Sequence, residues 1–218
     1  DQARVGEAIA RAIAASGVKR VVHLSSTGAH LDRGTGPILG LHQQEQRLNA
    51  LAGVDVLHLR PGYFFENHLI AIGTINALGV YADMTAPNAS LPMIATADIA
   101  AVVARELVIG GTRGKAVLHL RAPKLYTMAE STAILGKAIG KPDLQYVQAD
   151  PAQAKAGMVQ HGLSSSAADQ FEEMSHAFST GIINPNEDAG PTEITPTTLE
   201  QFANAAFKPA FEGARKAA

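Results

Sequence analysis

The first sixty residues alternate between helical and extended patterns, and this alternation constrains the fold more than any other feature. Residues 2–16 carry apolar side chains at the spacing of an amphipathic helix, and Gly17 follows as a helix stop. Residues 20–25 read as a short buried strand. After a loop, a helix is predicted over 37–52 and a second strand over 54–59. This order predicts a parallel sheet with helical crossovers.

Both predicted strands end in segments of small, hydroxyl and turn-forming residues. Residues 25–28 (SSTG) follow the first strand, and residues 60–63 (RPGY) break the second. Ligands of parallel sheets bind beyond the carboxyl ends of the strands. We therefore expect the functional site where these two segments lie side by side.

Capping signals mark two helices in the remaining chain. Thr96 is predicted to cap one helix, with Asp98 in its first turn, and Thr127 with Glu130 forms the capping-box pattern of another. The other elements follow from hydrophobic spacing and turn residues: a helix over 65–77, two extended pieces within 79–95, helices over 97–109 and 128–139, strands over 115–120 and 143–148, helices near 151–161, 165–180 and 197–208, and an irregular loop over 184–196.

Composition excludes several kinds of site and partner. The absence of cysteine excludes a disulfide scaffold, a thiolate zinc site and a cysteine nucleophile, and it fits a cytoplasmic protein. A net charge of -2 leaves no basic footprint for direct nucleic-acid binding. No apolar run reaches the ~18–20 residues of a membrane span. The histidines lack zinc-site spacing, so no metal is expected.

The chain shows no strand, glycine-rich turn and helix that would form a dinucleotide phosphate site before residue 20. The nearest string of glycines is Gly34, Gly36 and Gly40, which has the wrong last spacing. Pro37 also removes a backbone donor at the point where phosphate would bind. This string is therefore predicted to be a flexible loop that leads into a helix.

Several longer segments resemble the NmrA-like family. They are VVHLSSTGAH at 21–30, GTGPILGLHQQEQRL at 34–48, VDVLHLRPGYFFENHL at 54–69, TADIA at 96–100 and TPTTLEQFANAAF at 195–207, of which LRPGYFFEN is the most specific. Members are atypical short-chain dehydrogenase/reductase proteins with an NAD(P)-binding Rossmann fold. The resemblance implies an α/β fold: a partial Rossmann-type parallel sheet with helices on both faces and a mostly helical C-terminal region on the substrate side.

The resemblance also implies a division of the chain. Residues 1–120 would be the C-terminal portion of the Rossmann domain, and residues 121–218 a smaller region that sets substrate choice. The family alignment places residue 1 partway through the Rossmann domain. At ~30 residues per βαβ unit, about 60–90 residues of the family pattern are absent. We therefore expect a truncated chain that binds cofactor poorly by itself.

Ser25, Ser26 and Thr27 are the first candidate site residues. In the wider dehydrogenase family, a hydroxyl at this place polarises the substrate carbonyl by hydrogen bonding. The resemblance therefore implies a catalytic role for Ser26 and Thr27, cofactor contacts for Ser25 and Ser26, and a substrate contact for Thr27. The alternative is a turn whose hydroxyls bond to backbone amides.

His42 is the second candidate, on the helix that carries a Tyr and a Lys in active short-chain dehydrogenases. Neither residue type occurs over 26–52, and His42 lies in the region of the family's Lys. A histidine here could act as an acid or contact the nicotinamide ribose. It could equally be a helix residue paired with Glu45, three positions along the same face. The missing Tyr and Lys leave open whether the protein is an enzyme.

The third candidate is the segment over 61–67. In the family, groups after this strand line the nicotinamide pocket, where a glycine allows close approach and an aromatic ring covers one face of the cofactor. The resemblance implies cofactor contacts for Pro61, Gly62, Tyr63 and Phe64, and substrate contacts for Phe65 and Asn67. The alternative is a turn with core aromatic residues.

Two functions follow from the resemblance. One is an NAD(P)H-dependent reductase of a small carbonyl or quinone-like acceptor. The other is a non-catalytic NAD(P) redox sensor that acts through a regulatory protein partner. NADP is slightly preferred over NAD as the cofactor, and the protein is expected to be a monomer or homodimer.

Overall fold

Helices and strands alternate along the computed structural model, which describes residues 2–184, 188 and 190–217. In chain order the elements are α1 (Gln2–Ser16), β1 (Arg20–Leu24), α2 (Ile38–Asn49), β2 (Asp55–Pro61), β3 (Tyr63–Phe64), a 3-10 helix (Phe65–Ala71), α3 (Ile72–Leu78), β4 (Val80–Asp83), β5 (Ser90–Ile94), α4 (Thr96–Ile109), β6 (Lys115–Arg121), β7 (Leu125–Thr127), α5 (Met128–Ala138), β8 (Gln145–Gln148), α6 (Pro151–Gln160), α7 (Ser165–Thr180), β9 (Thr192–Ile194), α8 (Leu199–Phe202), a π-helical turn (Ala203–Phe207) and α9 (Lys208–Ala217).

The central sheet has four strands in the order β1-β2-β6-β9, and all pairs are parallel. One face is apolar because Leu57, Leu59 and Leu120 pack against Ile99 and Val102 of α4. The predicted α/β fold with a Rossmann-type parallel sheet and helical crossovers is therefore confirmed.

The opposite face of the central sheet lies under α2 and is partly polar. His23 of β1 pairs in register with His58 of β2, and Arg60 of β2 pairs with His119 of β6. Residues in register share a face of the sheet, because side chains alternate along each strand. The pair of Arg60 and His119 lies near the carboxyl ends of β2 and β6, at the edge expected to hold the site, and the histidine pair lies nearer the middle of β2.

A second layer of short strands and helices packs beside the central sheet. Strands β3, β5 and β7 form one small sheet, and β4 pairs with β8. The largest hydrophobic cluster lies between these strands and the C-terminal helices, with Phe65, Tyr126, Phe202 and Phe207 at its centre. The C-terminal half therefore continues the core of the N-terminal half.

The loop after β1 is fixed by close contact with α7. Ala29 and Ile38 share a cluster with Ala177 and Ile183. Gly36 has a φ of 58°, and a Cβ there would lie 2.0 Å from the carbonyl oxygen of Gln170. This loop is thus a packed connection, although the sequence predicted a flexible one.

Several predicted boundaries change in the structure. β2 continues through Arg60 and Pro61, because the carbonyl of Pro61 still accepts a bond from Thr27. Helix α2 ends at Asn49 and not near residue 52. Ala95 occupies the N-cap of α4, whereas Thr96 begins the helix and bonds to the carboxylate of Glu66.

The sequence pattern does not predict β3, β7 and β9, because a strand of two or three residues is too short to show a hydrophobic period. Strand β9 lies in the predicted irregular loop over 184–196, of which residues 185–187 and 189 lie outside the described part.

The apolar stripe of α1 is more exposed than its spacing predicts. Val5 is 53% and Ile9 46% exposed, and Ile13 alone of the stripe joins a core cluster. The reason is that α1 packs on α2 through Gly6, the buried residue of the helix. In the described residues, no helix has the length and hydropathy that crossing a membrane would require.

Candidate functional site

The segments after β1 and β2 lie side by side at the carboxyl edge of the sheet. The amide of Ser25 donates to the carbonyl of Leu59 at 2.8 Å, and the amide of Thr27 donates to the carbonyl of Pro61 at 2.9 Å. These bonds continue the β1–β2 ladder past the end of β1. The structure therefore brings the two predicted segments together as expected.

Ser25 is anchored to a buried ion pair below this edge. Its hydroxyl donates to Oε1 of Glu45 at 2.5 Å, and Glu45 also accepts bonds from Arg60. Burial alone would raise the pKa of Glu45, but the hydrogen bonds from Arg60 and Ser25 outweigh it and hold the pKa below its ordinary value. The hydroxyl of Ser25 is therefore committed to an internal carboxylate.

Asp188 joins the same network from the C-terminal half. Its Oδ1 accepts from Nη1 of Arg60 at 2.6 Å, and its Oδ2 lies 3.0 Å from Nδ1 of His30. Nε2 of His119 lies 3.6 Å from Oδ1 of Asp188. Arg60 thus holds two buried carboxylates at once, one from α2 and one from the segment before β9.

A pair of histidines extends the polar face toward the middle of the sheet. Nε2 of His58 donates to Oδ1 of Asn49 at 2.9 Å, which leaves Nδ1 of His58 to accept from Nδ1 of His23 at 3.0 Å. Burial lowers the pKa of both rings, that of His58 to about 4. Both imidazoles are therefore neutral in the folded protein near pH 7.

Ser26 and Thr27 differ in exposure. Ser26 is half-buried and its hydroxyl donates to the carbonyl of Thr27 at 2.9 Å, whereas Thr27 is buried and faces a cleft. Ser26 therefore has a backbone partner, as in a hydroxyl turn, and Thr27 is the hydroxyl residue that reaches the cleft.

His42 is half-buried on α2, and its Nδ1 donates to the carbonyl of Ala29 at 2.9 Å. The alternative in which His42 pairs with Glu45 is wrong, because Glu45 turns toward the sheet and bonds to Ser25 and Arg60. His42 is thus tied to the loop two residues beyond Thr27.

The segment over 61–67 divides between the cleft and the core. Gly62 lines the cleft, and a Cβ there would lie 2.0 Å from the carbonyl oxygen of Pro92, so the glycine is required for packing against β5. Pro61 ends β2, and Phe64 packs half-buried beside the leucines of the central sheet. Asn67 is half-buried on the 3-10 helix.

Tyr63 and Phe65 pack toward the large core. The ring of Tyr63 lies 5.4 Å from that of His68 at a tilt of 52°, and burial raises the pKa of Tyr63. Phe65 is fully buried, with ring centroids 5.9 Å from Tyr126 and 5.6 Å from Phe202. The structure therefore places Phe65, an expected substrate contact, inside the core.

The cleft has a volume of about 140 Å³ and lies between the ends of β2, β6 and β9. Its apolar wall is formed by Pro92, Leu120 and Leu125. Its polar wall is formed by Thr27, Arg60, His119, Arg121 and Thr192. The cleft therefore presents cationic and hydroxyl groups on one side and hydrocarbon on the other.

Sequence reasoning missed most of this polar wall. His119, Arg121, Thr192 and Asp188 are not among the candidate residues that the sequence predicts. The alternation of β6 carried a usable signal, because it puts His119 and Arg121 on one face at the carboxyl end of a strand. No local pattern marks Asp188, which meets Arg60 across 128 positions of the chain. The described residues contain no group of three or more His, Asp and Glu side chains suited to a metal ion.

Comparison with known proteins supports the fold. No family model and no curated protein matches the sequence. The NADPH-dependent quinone oxidoreductase QOR2 from Escherichia coli, complexed with NADPH, is 25% identical with a TM-score of 0.73, over 93% of this chain and 70% of that chain. Triphenylmethane reductase from Citrobacter sp. is 16% identical with a TM-score of 0.67, over 99% of this chain and 72% of that one.

NmrA, a negative transcriptional regulator solved with NADP, is 13% identical with a TM-score of 0.68, over 97% of this chain and 71% of that chain. Enzymes and a regulator thus share this arrangement of strands and helices. The expected cofactors, NADP or NAD, are the molecules bound in structures of these neighbours. The chain has the Rossmann-type fold of NmrA-like, atypical short-chain dehydrogenase/reductase proteins.

Proposed function

We propose that this protein binds the nicotinamide end of NADP or NAD beside the carboxyl ends of β1 and β2, and that it reduces a small carbonyl or quinone-like acceptor. The bound nicotinamide would supply the hydride. The observation that carries the proposal is Thr27, a buried hydroxyl residue that is locked to Pro61 through its amide and faces the cleft. Because fold alone does not fix function, the argument rests on this placement.

The residues present suit the nicotinamide half of a dinucleotide. β1 is an edge strand of the central sheet in the described part of the chain, and its last residue, Leu24, is 47% exposed. The buried Ser25 and then the half-buried Ser26 follow it, so the backbone and hydroxyl groups at Ser26 are available to a planar amide-bearing ring. We assign cofactor contact to Ser26 and Gly62, and acceptor contact to Thr27.

The glycines over 34–40 do not offer a pyrophosphate site. Gly36 is pressed against the carbonyl of Gln170, and a Cβ at Gly40 would lie 2.0 Å from the side-chain oxygen of Gln2. The residues present therefore fit the nicotinamide half of the cofactor and not its pyrophosphate.

The proposal has further parts. It divides the chain at residue 120 and gives residues 121–218 a role on the substrate side. It also includes a cytoplasmic location and a monomeric or homodimeric state.

A second candidate function is a redox sensor that binds NAD(P) without turnover and acts through a protein partner. The observation in its favour is α2, which contains neither Tyr nor Lys and carries His42 in the region of the family's Lys. Nδ1 of His42 already donates a hydrogen bond to the carbonyl of Ala29. A helix without the usual proton donor suits binding without reduction.

Titration of the full-length protein with NADPH and NADH, followed by nicotinamide fluorescence, tests both functions. A reductase is expected to bind and then to oxidise the cofactor when 1,4-benzoquinone or an aldehyde is added. Binding without oxidation across the acceptor panel would replace the reductase with the sensor. Failure to bind either dinucleotide would refute both.

A further inference from the structure

Arg121 brings a positive charge to the cleft without an acidic partner. The residue is half-buried at the end of β6 and lines the cleft. Its Nη1 donates to the carbonyl of Ala122 at 3.0 Å and to that of Pro123 at 3.3 Å. Among the described residues, no carboxylate forms an ion pair with Arg121, and its Nε and Nη2 have no hydrogen-bond partner. The N–H donors on these two nitrogens are therefore left for a ligand.

The bonds of Nη1 hold this guanidinium at the rim of the cleft. Ala122 and Pro123 belong to the turn between β6 and β7, and this turn joins Leu120 to Leu125, which both line the cleft. Nε and Nη2 of Arg121 also keep contact with solvent, since neither is an enclosed unpaired atom. A ligand that enters the cleft from solvent can therefore reach both donors.

The other guanidinium of the cleft is already neutralised. Arg60 lies 2.5 Å from a carboxylate oxygen of Glu45 and 2.6 Å from one of Asp188. Both buried carboxylates are thus committed to Arg60. Arg121 is partly removed from water and has no counter-ion of its own, so it attracts an anion more strongly than a fully hydrated cation does.

The remaining walls define the rest of the ligand. The cleft volume of about 140 Å³ resembles that of an engineered cavity of about 150 Å³ that binds benzene. Pro92, Leu120 and Leu125 suit a hydrocarbon group, and Thr27 and Thr192 are the hydroxyl residues of the polar wall. A compound with one small apolar group, a carbonyl and a carboxylate matches these walls and the free cation.

We propose that the acceptor in this cleft is a carboxylate-bearing carbonyl compound, of the 2-oxo acid class, and that Arg121 binds its carboxylate through Nε and Nη2. A guanidinium holds both oxygens of a carboxylate with two parallel hydrogen bonds, and such bonds are stronger than those between neutral groups. The inference rests on the proposed reductase function and names its substrate class. Arg121 is then a specificity-determining residue.

The carboxylate itself is unchanged by the reaction. The carbonyl carbon of the acid receives a hydride, with its two electrons, from the reduced nicotinamide. The C=O π pair moves to the carbonyl oxygen, and that oxygen takes a proton from water. One 2-oxo acid, one NAD(P)H and one proton therefore give one 2-hydroxy acid and one NAD(P)+.

Binding without cofactor tests the role of Arg121 in the parent protein. Isothermal titration calorimetry uses phenylglyoxylate as the probe and its methyl ester as the matched control, because the ester has the same ring and carbonyl but no charge. We expect the acid to bind at least about tenfold more tightly than the ester, which corresponds to about 1.4 kcal/mol. Equal affinities, tighter binding of the ester, or no binding of the acid would overturn the inference.

Variants locate the preference on the chain. Arg121→Met should weaken binding of the acid about tenfold and leave binding of the ester as it is. Arg121→Lys keeps the charge but loses the planar fork, so part of the preference should return. Arg113→Met removes a largely exposed arginine just before the start of β6, at the other end of the strand, and should keep the full preference.

The ratio of the two affinities separates recognition from packing. Arg121 also bonds to the carbonyls of its turn, and a loosened turn would weaken the acid and the ester alike. An Arg121→Met variant with the acid-to-ester ratio of the parent would therefore refute the proposal. If that variant does not fold, the comparison of acid and ester in the parent protein still decides.

The two proposals fail separately. If NADPH does not bind but the protein prefers the acid to the ester, the dinucleotide function falls and the cleft remains a carboxylate site. If NADPH is oxidised with equal kcat/KM by phenylglyoxylate and its ester, the reductase stands and the role of Arg121 is refuted.

Discussion

Glu45 of α2 and Arg60 of β2 make a two-point contact inside the protein, with Nε bonded to Oε1 at 3.0 Å and Nη2 bonded to Oε2 at 2.5 Å. The same Oε1 accepts from the hydroxyl of Ser25. This relationship fixes the crossover helix, the end of β1 and the end of β2 to each other. It therefore holds in place the strand ends that form the proposed site.

Removal of Arg60 should destabilise the fold strongly. Arg60→Met leaves Glu45 and Asp188 buried without their shared cation, and breaking a buried pair costs about 3–5 kcal/mol. Urea unfolding measures this loss. The control is Arg105→Met, which removes a half-exposed arginine paired with Glu193 and should cost well under 1 kcal/mol. Similar losses in the two variants would contradict the role given to Arg60.

The free energy of unfolding should fall as the pH drops below about 6.5. Burial lowers the pKa of His58 to about 4 and that of His68 to about 3, while the ordinary value is 6.5. Below that pH the unfolded chain binds more protons than the fold, so stability rises with pH across this window. Between about pH 6.5 and 5, His58 alone should account for about 1.5 kcal/mol.

Variants separate this pH effect from general acid sensitivity. His58→Gln should flatten the dependence measured by urea unfolding at several pH values, because glutamine does not titrate. His161→Gln changes an exposed histidine and should leave the slope as it is. A wild-type stability that is flat over this range would show that His58 is not held neutral.

Two neighbouring glycines should respond differently to alanine. Gly34 and Gly36 both have positive φ, which costs an L-residue about 1–2 kcal/mol. Only Gly36 also meets the backbone of Gln170, since a Cβ at Gly34 would have open space. Thermal or urea unfolding should therefore show a clearly larger loss for Gly36→Ala than for Gly34→Ala. Equal losses would mean that the loop does not press on α7.

The hydroxyl of Thr27 should affect turnover more than stability. Thr27 lines the cleft, and Thr27→Val keeps the shape of its side chain but removes its hydroxyl. We expect kcat/KM for 1,4-benzoquinone to fall about tenfold, which corresponds to one hydrogen bond. Thr74→Val removes a hydroxyl bonded to the carbonyl of Ala71 on α3 and is the control. Unchanged kinetics in Thr27→Val would remove Thr27 from the site.

Local signals in the sequence predicted local structure well. The capping box of Thr127 and Glu130 is formed as predicted, because both bonds lie within one turn of helix. The alternation of helix and strand also predicted the parallel sheet, because strands that are joined by helices pair in parallel. The predicted end of β2 was too early because of Pro61. A proline lacks an amide hydrogen, but its carbonyl can still accept a hydrogen bond at the end of a strand.

The site depended on contacts that no short window contains. Ser25 looked like a cofactor residue, yet its hydroxyl is held by Glu45, 20 positions away. Phe65 looked like a pocket residue, yet the core closes around it through Tyr126 and Phe202. Such outcomes are decided by tertiary packing, so the sequence could indicate the edge of the sheet but not which side chains face the cleft.

The most direct test of the proposed nicotinamide site is amide NMR of the isotope-labelled protein during titration with NADPH. The account predicts that the largest shifts occur at the amides of Ser26, Thr27 and Gly62, where β1 and β2 end. Shifts that are absent there, or that centre on a distant element such as α6, would contradict it.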